Sequence, residues 1–422
     1  MTAQETASGS FRRVLRQPVL RRILPGMLVS ALGDGMSMVA VAWLAVGIAP
    51  AGREGVWTGL AVAAYALPAT LGAAVFGRFV RGFSGARLVA VDASLRAVAL
   101  GTVALLAVLG VLSPVAYVAL LAVSSLLHAW GFAGAYTLVA ELLPEEDRVA
   151  GNALLSTFAQ AATVVGPAVA GALTAVVGPG WVIGADALSF AVLAACCWRT
   201  PRTAPPPPPA TAPSGWRTIL ARPGLVGLLA ITCAFFFLYG PVEVALPVHV
   251  AQRLDGSPAL LGAYWAVFGI GAVIGGLGVV LLRRRSPWAV VVGIVTGWGV
   301  ALLPVGLTDA VLPGLLGFAF GGLVYGPFTA ITTTLFQRAS PPDLISRVLA
   351  TRTALTTPAV ALGTLLGGPV VGAIGGRPTL LLSGLLTIAL GAVVATVLGL
   401  HRPGASARVS NASREPETAA PG

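Results

Sequence analysis

The chain has 422 residues, 56% of them hydrophobic and only 10% charged, against roughly a quarter charged in an ordinary soluble domain; a water-exposed globule is excluded and lipid is the expected solvent. All 26 basic residues are arginine and the formal charge is +11; without lysine there is neither a Walker A phosphate loop nor a Schiff-base lysine, and ATP hydrolysis through that loop is excluded. The cysteines, Cys196, Cys197 and Cys233, lie in apolar segments with no metal-ligand or disulfide spacing, so no cofactor or metal is expected.

The first 22 residues are polar and basic, and the apolar run after them is too long for a signal-peptide core, so they read as a retained cytoplasmic segment. About 20 apolar residues cross a hydrocarbon core of about 30 Å. Twelve such spans are predicted, at 23–49, 57–79, 87–112, 114–139, 152–178, 180–198, 224–250, 259–282, 287–307, 311–336, 348–375 and 377–400. The fold class is thus an all-α membrane protein. Residues 23–198 make an amino-terminal six-helix half and 224–400 a carboxy-terminal one. A proline-rich cytoplasmic linker at 199–223, containing Pro205 to Pro209, joins them, and a disordered cytoplasmic tail follows at 401–422.

Two features support this division. Phe11-Arg12-Arg13-Val14-Leu15-Arg16-Gln17-Pro18-Val19-Leu20 precedes the first span and Trp216-Arg217-Thr218-Ile219-Leu220-Ala221-Arg222-Pro223-Gly224-Leu225 the seventh. Both read aromatic, Arg, x, β-branched, Leu, x, x, Pro, x, Leu, the mark of a tandem duplication with parallel halves. With both termini inside, only Arg53, Arg253 and Arg377 fall in outer loops; retention of positive charge on the cytoplasmic side favours that orientation in the cell membrane.

Within the spans, a carboxylate near the bilayer centre costs about 2.5–3.5 kcal/mol on insertion scales and is kept where it meets a cavity or a partner. Asp34 lies about 16 Å into span one by helical rise. It serves a proton or substrate path, or else hydrogen-bonds a neighbouring helix. Glu243 stands between Pro241 and Pro247 in span seven, where the prolines are expected to weaken the helix; a path role and an outer ion pair are both open. Asp186 reads as structural. His128 in span four is either a titrating group or a fixed hydrogen-bonding one. Asp92 and Arg96, spaced i, i+4, are expected to pair within one helix.

Span five carries Asn152, Ser156, Gln160 and Thr163 on one face, and span eleven carries Thr353, Thr357 and Thr364; the paired stripes suggest walls of a polar cavity. Glu141 and Glu145 to Asp147 form an acidic patch on a basic side, either a gate facing Arg347 or Arg352 or an ordinary solvated loop.

The segments SALGDGMSMVAVAWL (30–44), DASLRA (92–97), ELLPEEDRVAGNAL (141–154), VVGPAVAGAL (164–173) and ADALSF (185–190) together resemble the major facilitator superfamily, in its drug and siderophore efflux branch. The resemblance covers essentially the whole chain. It implies a secondary active transporter, acting as a monomer on a small-molecule substrate, with proton-coupled export of an amphipathic drug, antibiotic or siderophore by alternating access. An importer or lipid transporter of the same fold is the alternative, and a membrane enzyme or receptor the remote one; no catalytic residue and no nucleic-acid partner is expected.

Gly166-Pro167 with Gly171, and Gly368-Pro369 with Gly372, resemble the branch's glycine-proline motif and are expected at helix bends. Two departures stand out. The loop between spans two and three has Arg81 where the family has an acidic residue, so a latch of reversed sign is expected, Arg81 and Arg87 against Glu141 and Glu145 to Asp147. The arginine that related antiporters carry in span four is absent, Leu127 standing four before Gly131.

Overall fold

The structure, a computed structural model, describes residues 3–80, 82–200, 215–282, 284–341 and 344–400. Arg81, most of the linker and the tail after 400 lie outside the described residues. The first half comprises α1 (Ala3–Arg16), α2 (Pro18–Ile48), α3 (Glu54–Val80), α4 (Gly85–Val108), α5 (Pro114–Ser125), α6 (His128–Leu142), α7 (Glu145–Val177) and α8 (Pro179–Trp198). The second comprises α9 (Gly215–Leu220), α10 (Pro223–Gln252), α11 (Pro258–Leu277), α12 (Pro287–Leu307), α13 (Val311–Tyr325), α14 (Phe328–Ala339), α15 (Ile345–Ile374) and α16 (Gly376–Leu400). Counting α5 with α6 and α13 with α14, twelve helices among the described residues are long and apolar enough to cross a membrane.

Proline sets many of the starts. It occupies the first turn of α2, α5, α8, α10, α11 and α12, where its missing N–H would have had no intrahelical partner. Gln17 and Ser113 cap α2 and α5 through their side chains.

The duplication recurs in three dimensions. Spans four and ten are each interrupted, at Leu126–Leu127 and at Gly326–Pro327. Spans five and eleven end at Gly178 and Gly375, with φ of 86° and 89°, a left-handed conformation that glycine adopts without a Cβ penalty. The repeated lead-in motif docks as two equivalent wedges: α1 packs on α7 and α9 on α15, and Val14, Ile219, Leu20 and Leu225 are all completely buried. Within the predicted cytoplasmic segment, therefore, α1 is a helix fastened to the bundle.

The prolines expected at bends lie inside continuous helices. Helix α10 runs unbroken through Pro241 and Pro247, and α7 and α15 run unbroken through Pro167 and Pro369. Membrane helices tolerate interior proline where packing re-satisfies the freed carbonyls. The glycines beside these prolines set helix approach. A Cβ at Gly171 would lie 2.7 Å from Gly262 Cα on α11, and one at Gly59 of α3 would lie 2.8 Å from Gly368 Cα on α15, with Gly372 meeting Val56. These two seams join the halves. Both lie at the end of the bundle opposite α1 and α9. Gly166 packs instead within its own half, against Gly35 of α2.

Candidate functional site

A cavity of about 400 Å³ opens in the first half, walled by α2, α4, α6, α7 and α8. Its lining is mostly apolar, with Met27, Met38, Phe132, Tyr136, Phe158 and Phe190 among the larger side chains. Asp34 of α2 and His128 of α6 both line it.

Asp34 is not isolated. Its Oδ1 accepts a hydrogen bond from Tyr65 of α3 at 2.7 Å and a salt bridge from the Arg96 guanidinium of α4. Arg96 is 2% exposed while Asp34 is 31% exposed, so the pair has one member in the protein and the other at the cavity surface. The guanidinium also donates to Tyr65 at 2.6 Å and to His128 Nδ1 at 2.7 Å, and it lies 4.4 Å over the Phe190 ring. Arginine only donates, so His128 Nδ1 accepts here and the ring's proton sits on Nε2.

The intrahelical pair expected between Asp92 and Arg96 does not form. Arg96 points across to α2, and Asp92 is left 7% exposed with Oδ1 lacking a hydrogen-bond partner and Oδ2 3.9 Å from His128 Nδ1. Asp186 of α8, 1% exposed, accepts from Ser37 of α2. It packs beneath Gly33, with Ser189 bonded to Ser30 beside it. Three carboxylates from three helices thus surround one permanent cation. Arg96 of α4 reaches His128 of α6, on the helix where an added Cβ at Gly131 would overlap Asp92.

Glu243 sits apart from this cluster. Its Oε2 accepts from Thr364 of α15 at 3.0 Å. It also lines a second cavity of about 170 Å³ with Ser37, Met38, Tyr65 and Trp265. Tyr65 touches both compartments, one through Asp34 and one through its own ring. Sequence reading passed over Tyr65, although a phenol midway along an apolar span needs a partner for its O–H and was a usable signal.

The polar stripe of α7 is only partly at the site. Thr163 lines the larger cavity, whereas Asn152 and Gln160 do not; the angular drift of the stripe carries them to its flank, Gln160 exposed and Asn152 half-buried with Oδ1 unpartnered. In the other half a dense aromatic group that includes Phe235, Tyr239, Trp298, Tyr325 and Phe328 packs ring on ring, Phe235 and Phe328 at 4.8 Å.

Of the residues in the expected latch, Arg87, Glu141 and Glu145 to Asp147 fall within the described residues. Arg87 stacks over Phe83 and Trp198, at 4.8 and 5.7 Å. Arg81 lies outside the described residues. Glu141 accepts from the Gly85 backbone N–H at the start of α4, at 3.0 Å, a favourable place for a carboxylate. Arg352 donates to Thr332 and Thr333 within its own half, and Arg347 stands in the first turn of α15. Asp147 pairs instead with Arg13 of α1 at 2.7 Å, with a second bond through Nε at 2.9 Å.

Residues 23–357 match the family model of the Major Facilitator Superfamily. The multidrug efflux pump Tap of Mycobacterium tuberculosis is 30% identical over 405 residues, covering 88% of this chain and 91% of the relative. The enterobactin exporter EntS of Shigella flexneri is 26% identical over 234 residues, 54% of this chain and 55% of that one. Among solved structures, a D-xylose–proton symporter superposes with a TM-score of 0.67 at 12% identity, covering 90% of this chain and 97% of that one. A bacterial homologue of the lysosomal transporter Spinster, inward-facing and unoccupied, gives 0.65 at 14%, covering 90% and 96%. The chain is a multi-pass membrane transporter of two parallel six-helix halves and belongs to the Major Facilitator Superfamily.

Proposed function

We propose that this transporter exports an amphipathic small molecule in exchange for protons, with both termini in the cytoplasm, and that the Asp34, Arg96 and Tyr65 cluster couples the two movements. The observation that carries the reading is the placement of Asp34: a carboxylate at the wall of an apolar cavity, held by a buried arginine that has two further carboxylates within its surroundings. A proton arriving on Asp34 releases the guanidinium, which then turns toward Asp92 or Asp186. The site gains the proton's charge, the guanidinium keeps a carboxylate partner inside the low-dielectric site, and the cavity wall changes from ionic to neutral. Substrate binding to the apolar wall and proton binding to Asp34 then compete for one cavity, which is what exchange requires. The printed functions of the relatives, multidrug efflux and enterobactin export, support the direction and the solute class.

With the arginine-rich end inside, the two glycine seams close the outer end and the cavity is reached from the cytoplasm. Everted vesicles carrying the transporter and a luminal pH dye test the whole reading. After acidification, adding a hydrophobic drug or catecholate siderophore raises luminal pH at a rate that depends on the transporter. Solute uptake that proceeds equally with the gradient collapsed sets the proton role aside.

A further inference from the structure

At the arginine-rich end, helices α2 and α8 part after packing closely at Gly26, where an added Cβ would lie 3.5 Å from Leu193. The gap is a cavity of about 430 Å³ lined by Val19, Arg22, Cys196, Arg199 and Thr200. It is separate from the cavities around Asp34 and Glu243 and shares no lining residue with them. Arg22 of α2 and Arg199, the residue that ends α8, both line it. Neither makes a salt bridge or side-chain hydrogen bond among the described residues. Two uncompensated guanidinium groups in one concave site repel each other, and a shared anion removes that repulsion while using the bidentate donor geometry of arginine.

The depth and the walls say which anion. Trp198, adjacent to Arg199, is 51% exposed and hydrogen-bonds Ser94 through its indole N–H, the posture of an aromatic side chain at the headgroup level. Leu188 and Val192 are 65% and 52% exposed, and with Ala195 they continue the Arg199 face of α8 at offsets of 4, 7 and 11 residues into the hydrocarbon. Val29, 55% exposed, continues the Arg22 face of α2. An anion bound here has apolar helix surface beneath it and arginine around it. We infer that the cleft between Arg22 and Arg199 is a binding site for one anionic phospholipid, its phosphate between the two guanidinium groups and its acyl chains along Leu188, Val192 and Val29. A zwitterionic lipid presents an ammonium group to the same two cations and is disfavoured.

The test uses the full-length protein, purified in mild detergent and stripped of lipid, in native mass spectrometry with equal amounts of dioleoyl phosphatidylglycerol and dioleoyl phosphatidylcholine. One phosphatidylglycerol is retained under conditions that remove phosphatidylcholine. Loss of charge weakens its retention by about fivefold per arginine, about thirtyfold for R22Q with R199Q together. R285Q, an exposed arginine elsewhere on the same side, leaves retention unchanged. Thermal unfolding supplies a second readout on the unaltered protein, because a ligand of the folded state raises the midpoint: phosphatidylglycerol raises it and inorganic phosphate at the same concentration does not. Equal retention by the double variant, retention of both lipids alike, or a shift reproduced by inorganic phosphate would each overturn the assignment.

Discussion

Arg96 is the residue on which the cavity's electrostatics turn, because it carries a charge that cannot be titrated away and has almost no access to water. Its direct ionic partner is Asp34. Removing one member of a buried pair leaves the other uncompensated, at a cost of about 3–5 kcal/mol, whereas removing both together is much cheaper. Asp34→Asn is therefore expected to lower the unfolding temperature and abolish uphill transport, while keeping a hydrogen-bond acceptor for Tyr65. Adding Arg96→Gln recovers much of the stability without recovering transport. Tyr65→Phe, which leaves the ion pair intact, costs about 1–3 kcal/mol at most and slows transport while leaving its dependence on the proton gradient. A double-mutant cycle on thermal unfolding in detergent checks the order; strictly additive losses would show that Asp34 and Arg96 are not coupled.

The elements that decide access are the paired seams, α3 on α15 and α7 on α11, in which backbones approach as closely as glycine allows. Gly262→Val puts side-chain atoms where a Cβ alone would lie 2.6 Å from Gly171 Cα. The seam cannot close, and export at equal membrane expression is expected to fall about tenfold or more, since the inward-facing state loses its outer seal. In a background with the native cysteines replaced, a cysteine at Thr58, wholly buried beside the other seam, then becomes reactive to an impermeant maleimide from outside. Gly227→Ala, with open space around it, is the matched control; an unaltered rate and an unlabelled Thr58→Cys in the Gly262→Val protein would remove the seam from gating. These contacts were half legible in the sequence. Gly166, Gly171, Gly368 and Gly372 stood out beside prolines, but spacing along one helix says nothing of the partner across the gap. Gly59 and Gly262 carry no local motif and became visible only in three dimensions.

For the whole molecule, hydropathy and the repeated lead-in were enough to give the twelve spans and the two halves, because each property is local to a segment or copied between segments. The charge network was not, because arginine and carboxylate pair across sequence distances that no periodicity encodes: Arg96 was read toward Asp92 on its own helix and reaches Asp34, and Asp147 was read toward span eleven and is held by Arg13. These long-range bonds now constrain the topology. Arg13 with Asp147 ties the amino-terminal helix to the first turn of α7, and Glu141 with Gly85 ties the end of α6 to the start of α4. Arg377 with Asp309, at 2.6 Å, ties the first turn of α16 to the loop between α12 and α13 at the other end. An odd number of crossings between any such pair would have put its members on opposite sides of the bilayer. The arginine distribution then assigns the ends. Single cysteines replacing Arg53 and Arg253 in a cysteine-free background are expected to react with an impermeant maleimide in intact cells, and those replacing Arg148 and Arg284 only after the membrane is opened. Arg377→Cys belongs with the first group but loses its bond to Asp309, so its labelling is expected to be accompanied by faster outer-end opening, read as greater reactivity of Thr58→Cys. Labelling of position 284 from outside, with position 53 protected, would invert the molecule in the membrane and turn the proposed exporter's inward-facing cavity toward the exterior.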